Sequence, residues 1–220
     1  MTTIRLWFTK TGEASYISLL DLQRVMQRAF KRSGLPAWYT MGFNPHIYMT
    51  FTAPLPLGQE SVCESLDFKS EADGFDWRAH EADLAACLPK GIEVVKLEPA
   101  GMNPGSIAFA HYEWQVPPLH AQAAREGARA YNDAPAVLVE KKSKHKGTRQ
   151  IDLKQYLLRL EGKETPDGGV CFAVDLPAGS TLTVNPALML GWICEYSALE
   201  PHQVRILRTK LLTAEKKEFC

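Results

Sequence analysis

Ile4, Leu6 and Phe8 alternate with Arg5, Trp7 and Thr9 at the start of the chain. A period of two predicts a strand over 1–10, broken at Gly12. The period then changes. Leu22, Val25, Met26, Ala29 and Phe30 share one side of a helix over 19–32, with Arg24, Gln27, Arg28 and Lys31 opposite. Gly34 and Pro36 end it. Met49, Phe51 and Ala53 alternate with Tyr48, Thr50 and Thr52 in a second strand, closed by Pro54, Pro56 and Gly58. A third strand covers 62–69. Asp76 is placed to cap a second helix carrying Trp77, Leu84, Cys87 and Leu88, and 92–97 supplies a fourth strand.

Pro99 to Gly105 has the composition of a linker. Beyond it the pattern predicts a strand over 107–116, a helix over 119–131 weakened by Gly127, and a strand over 136–141 that 149–153 continues or pairs with. A strand over 170–176 follows. Asn185 and Pro186 open a helix to about 196, and 204–212 is a last strand. Each half then reads β-α-β-β-α-β. The expected fold is α+β, two tandem ferredoxin-like halves over 1–100 and 105–220, alike in pattern and not in identity.

Composition narrows the function classes. The 25 basic and 25 acidic residues balance, so attraction to nucleic acid must come from a local patch, and DNA is not an expected partner. No apolar run is long enough to span a bilayer, and 1–10 reads as a strand rather than a secretory signal. Five scattered cysteines, Cys63, Cys87, Cys171, Cys194 and Cys220, fit a reducing compartment, so the expected location is cytoplasmic with no membrane partner. Paired-cysteine spacings, phosphate-binding glycine loops, a G-x-S-x-G elbow and paired histidine ligand spacings are all missing. No metal and no cofactor is therefore expected, and a binding protein is favoured over an enzyme.

Three features carry candidate chemistry. In Gly42-Phe43-Asn44-Pro45-His46, Gly42 permits a tight turn and Pro45 extends Asn44, so a shaped loop delivers Asn44 and His46 to the start of a strand. An amide and an imidazole there can read a polar ligand, although an Asn-Pro turn with a solvated histidine needs the same residues. Glu64 shares the parity of Val62, Leu66 and Phe68, which puts a carboxylate on the apolar face. It must then be paired, hydrogen-bonded or protonated, with Arg28, Arg32 or His46 as conceivable partners. Lys141, Lys142, Lys144, His145, Lys146 and Arg149 place six basic or potentially basic side chains in nine positions, a phosphate-attracting loop without compensating acids. Trp38, Tyr39, Phe43 and Tyr48 could stack on bases, but rings of these types belong more often to a core.

The stretch from Phe8 to Glu64 resembles the bacterial radical-SAM-associated proteins grouped as domain-of-unknown-function family 2344. The resemblance is carried by Phe8-Thr9-Lys10-Thr11-Gly12, Ser18-Leu19-Leu20-Asp21-Leu22, Arg32-Ser33-Gly34-Leu35-Pro36, Gly42-Phe43-Asn44-Pro45-His46, Pro54-Leu55-Pro56-Leu57-Gly58 and Glu64. Ile151-Asp152-Leu153 and Arg208-Thr209 fit more weakly. The chain departs from the family pattern at Leu19, where histidine is frequent, and at Ile47 and Tyr48, where proline and lysine often follow. The resemblance implies an accessory role beside a radical-SAM protein in RNA- or ribosome-linked modification. The radical-SAM protein is the expected partner, and RNA a second. Asn44, His46, Glu64, Arg28 and Arg32 are then candidate ligand-binding residues, and Lys141, Lys142, Lys144, Lys146 and Arg149 candidate phosphate-binding residues. The alternatives are a metal-independent ribonuclease with His46 as its acid or base, and a purely protein-binding scaffold.

Overall fold

The computed structural model describes residues 1–143 and 147–220, and the side chains of these outside 141–149. The chain is a mixed α+β protein with four α-helices among the described residues. It divides into two compact units, Met1–Ser106 with Glu218–Cys220, and Ile107–Lys217.

The first unit contains β1 (Thr2–Lys10), α1 (Leu19–Ser33), β2 (Met49–Phe51), β3 (Glu60–Ser70), α2 (Glu81–Ala85) and β4 (Ile92–Pro99). Its strands lie in the order β4-β1-β3-β2, with every ladder antiparallel. α1 starts where Ser18 Oγ accepts from the Asp21 N–H at 3.2 Å. It stops at Gly34, whose φ of 71° favours glycine. Between those ends Leu22, Met26, Ala29 and Phe30 are buried against Ile4, Leu6, Phe8, Leu66 and Phe68 of the sheet. The Phe30 and Phe68 rings meet edge-on at 4.5 Å. The expected second helix is mostly a 3-10 turn, Arg78–His80, before the short α2; Asp76 Oδ1 accepts from the Ala79 N–H at 3.3 Å.

The other side of β1 is buried as well. Arg5 grips Asp67 with two bonds, Nε to Oδ1 at 2.7 Å and Nη2 to Oδ2 at 3.0 Å. Its Nη2 also donates to the Met102 carbonyl at 2.8 Å, and its guanidinium lies 4.5 Å from the Phe219 ring. Glu218–Cys220 therefore completes the first unit from the far end of the chain.

The second unit contains β5 (Ile107–Val116), α3 (Ala121–Asp133), β6 (Leu138–Ser143), β7 (Gly147–Asp152), β8 (Gly162–Glu164), β9 (Val170–Pro177), α4 (Pro186–Glu195) and β10 (Arg205–Thr213). Its main sheet runs β10-β5-β9-β8, again with antiparallel ladders. The strand expected over 136–141 does not join that sheet. It pairs with β7 as a separate two-stranded sheet, from Leu138 opposite Asp152 to Ser143 opposite Gly147. The place beside β9 falls to β8, whose three residues, Gly-Lys-Glu, have no apolar alternation to reveal them. At Gly162 a Cβ would come within 2.6 Å of the Val170 side chain, so only glycine allows this approach. Gly127 has a similar reason. A Cβ there would collide with Ile193, so the residue that weakens α3 on propensity is the one that lets α4 pack closely on it.

No helix among the described residues is long and apolar enough to cross a membrane.

Candidate functional site

The segment between α1 and β2 forms a closed loop in the first unit. Tyr39 and Ile47 make an antiparallel bridge at its neck. The Thr40 N–H donates to the His46 carbonyl at 2.8 Å, and the His46 N–H donates to Thr40 Oγ1 at 3.2 Å. Ile47 and Met49 point inward and are buried, which anchors the exit of the loop. Gly42, at φ 124°, lets the chain reverse at the tip.

His46 is held by its ring as well. Nδ1 lies 3.0 Å from the Asn44 carbonyl and 3.2 Å from Thr40 Oγ1. A carbonyl only accepts, so Nδ1 carries the proton in that bond and Nε2 of the neutral ring is the acceptor. Asn44 and His46 are both exposed. Beside them Met41 is 89% exposed and Phe43 fully so, with Tyr39 and Tyr48 also at the surface. The rings of this stretch are not core, contrary to their residue types. Of the four, Trp38 alone is half-buried, and its backbone N–H donates to the Lys69 carbonyl at 2.7 Å. The Lys69 ammonium sits 5.8 Å from the Tyr48 ring.

Glu64 lies elsewhere in the same unit. It is 3% exposed and stands opposite Phe8, on the core side of the sheet that parity assigns it. The loop enters β2 near Met49, which pairs with Phe68. Four residues of β3 separate that rung from Glu64, roughly 13 Å of strand. Glu64 and the loop residues therefore do not converge. The nearby buried cation is Lys10, one rung along β1 and 2% exposed, whose Nζ donates to the Ser15 carbonyl at 3.0 Å. The arginines are engaged differently. Arg32 Nη2 donates to the Cys87 carbonyl at 2.5 Å, tying the end of α1 to the segment after α2, and Arg28 is exposed on the outer side of α1.

The basic segment belongs to the β6–β7 hairpin, where Lys141 pairs with Arg149 and Lys142 with Thr148. Lys144, His145 and Lys146 lie outside the described residues, as do the side chains of Lys141, Lys142 and Arg149.

One half-exposed cluster in the second unit has no signal in sequence spacing. His111 Nδ1 meets Asp175 Oδ1 at 2.6 Å across the β5–β9 ladder, and Lys216 Nζ reaches Asp175 Oδ2 at 3.0 Å. The Lys216 ammonium also sits 3.6 Å from the Phe109 ring. Burial pushes the Asp175 carboxyl up, but the hydrogen bonds from His111 and Lys216 and their charges outweigh it and hold it below its ordinary value. Residues brought together from three separate segments cannot be read from local pattern.

No curated protein matches the chain. The family model for DUF2344, an uncharacterised protein conserved in bacteria, matches residues 3–186, and the chain belongs to that family.

Proposed function

We propose that this chain is an accessory binding protein that partners a radical-SAM enzyme in RNA- or ribosome-linked modification, and that the 39–48 loop is a recognition surface. One observation carries the reading. The loop is locked at its neck by Thr40 and His46 while Met41, Phe43 and Asn44 stand outside it. A preordered loop with an exposed aromatic and an amide loses little freedom when a partner covers it, which is what binding hot spots require. The radical-SAM partner is drawn from the residues of 8–64 that carry the family resemblance. RNA is drawn from the basic composition of 141–149. We read each unit as ferredoxin-like, a reading supported by the β4-β1-β3-β2 and β10-β5-β9-β8 strand orders.

The test is co-purification of the tagged chain with a radical-SAM protein of the same cell. The wild-type chain is expected to retain that protein, and Phe43→Ala with Asn44→Ala to lose it with folding intact. If both capture nothing, the partner assignment fails. Total RNA at low and moderate salt tests the second partner; no binding at either salt removes it.

The anchored Nδ1 of His46 favours one alternative, because it leaves Nε2 as the proton acceptor a ribonuclease would use. Cleavage of structured RNA by the wild type and not by His46→Ala would support that reading. Cleavage unchanged in the variant excludes it.

A further inference from the structure

Residues 187–194 of α4 contain no charged side chain. A helix apolar all the way round is normally buried all the way round. In α4 one side is: Pro186, Met189, Leu190 and Ile193 are buried. The other side is not. Ala187 is exposed, and Leu188, Gly191 and Trp192 are half-buried. These four residues and Glu195 form one wall of a groove of about 450 Å³, and Leu138, Val139 and Glu140 of β6 form the other.

The β6 wall says what kind of occupant fits. Successive strand residues point to opposite faces, so three in a row line a groove only where the edge of the strand borders it. The opposite edge of β6 is taken by β7, and among the described residues β6 pairs with no other strand. The groove is therefore bordered by an edge that offers backbone N–H and C=O groups to an incoming strand.

Gly191 adds an independent observation. Glycine weakens a helix interior relative to alanine. Gly127 has a reason to be glycine, since a Cβ would strike Ile193. Among the described residues, a Cβ at Gly191 would meet nothing within 4 Å. Among the described residues, nothing uses the space that Gly191 leaves in the groove wall.

We propose that this groove is a strand-addition site for an extended peptide segment of a protein partner. The peptide backbone pairs with the free edge of β6, alternate apolar side chains lie over Leu188, Gly191 and Trp192, and its basic side chains meet Glu140 and Glu195. The charge fit selects this occupant. Both charged residues lining the groove are carboxylates, which attract lysine and arginine and repel phosphate. The proposal rests on the reading of the chain as a binding protein and gives it a second surface, away from the 39–48 loop in sequence and with its own mode of recognition.

The experiment uses the full chain and a short peptide alternating lysine and valine. Amide hydrogen exchange is followed at 138–140, and the Trp192 indole signal by NMR. The peptide is expected to slow exchange at 138–140 by about tenfold at saturation and to shift Trp192. A glutamate–valine peptide should do neither. Gly191→Leu, whose Cβ has open space among the described residues and whose longer side chain occupies the groove, should abolish both effects, and so should Glu140→Lys with Glu195→Lys; circular dichroism confirms that each variant folds. The proposal is overturned if the lysine–valine peptide gives no protection, if a lysine–glycine peptide protects equally, or if Gly191→Leu changes nothing. It is also overturned if an oligonucleotide gives both the same protection and the same Trp192 shift, or if the wild type dimerises in sedimentation and Gly191→Leu does not, which would assign the groove to a second copy. The readout needs no radical-SAM protein. Missing protection therefore removes the groove alone, and failed co-purification with protection intact removes only that partner.

Discussion

α1 in the first unit turns Leu22, Met26, Ala29 and Phe30 to its sheet and leaves Arg24, Arg28 and Lys31 in solvent. α4 in the second unit is apolar on the buried side and on the outward side alike. Both helices belong to units with corresponding strand orders, so the contrast does not come from topology. In α1 the sequence pattern and the burial pattern agree from Leu22 onward, and only Leu19 and Leu20 in its first turn are apolar and exposed. In α4 they disagree over Leu188, Gly191 and Trp192. A disagreement of that kind marks a surface whose composition was set by something other than this chain's own folding.

The contrast makes stability predictions of graded size. Met26 is wholly buried, so Met26→Ala should cost about 2–4 kcal/mol in urea unfolding, whereas Leu188→Ala on the outer side of α4 should cost under about 1 kcal/mol. Equal losses would mean that the outer side of α4 is core after all. The two helical glycines should respond with opposite signs. Gly127→Ala meets Ile193 and should destabilise by about 1–3 kcal/mol, while Gly191→Ala meets nothing and should stabilise by about 1 kcal/mol. A destabilising Gly191→Ala would remove the contrast between them.

The smallest effect concerns pH in the second unit. The Asp175 carboxyl titrates below its ordinary value in the folded chain, so its stabilising effect is present above about pH 4 and is lost as pH falls through the folded value. Asp175 is more than a third exposed, which keeps the effect under about 1 kcal/mol. Asp175→Asn should lower the melting temperature slightly at neutral pH, and the gap from wild type should narrow as pH falls below the ordinary carboxylate range. A gap that widens on acidification would contradict the assignment.

Much of the first unit was legible because its signals are local. Ser18, the apolar stripe and Gly34 mark α1 at both ends, and the alternation of 4–8 marks β1. Parity places Glu64 on the core side, but parity does not give its partner: of the candidates Arg28, Arg32 and His46, Arg32 is engaged with the Cys87 carbonyl, and Arg28 and His46 are exposed. The second face of β1 escaped notice. Arg5 and Trp7 look like solvent-side residues, and what buries them includes Phe219, far along the chain. The rings of 38–48 were assigned inward because residue type reports hydrophobicity and not the shape of a loop. Leu138–Ser143 was legible as a strand, but which sheet a strand joins depends on long-range pairing that a period of two does not encode.

Arg5, gripped by Asp67 and overlaid by Phe219, has a bearing on how the protein is made. Synthesis runs from N- to C-terminus, so β1 leaves the ribosome before Phe219. Until Phe219 emerges, the guanidinium and the Trp7 indole lie without that cover. The first unit, which includes Glu218–Cys220, therefore cannot be completed until the second unit's residues have been made.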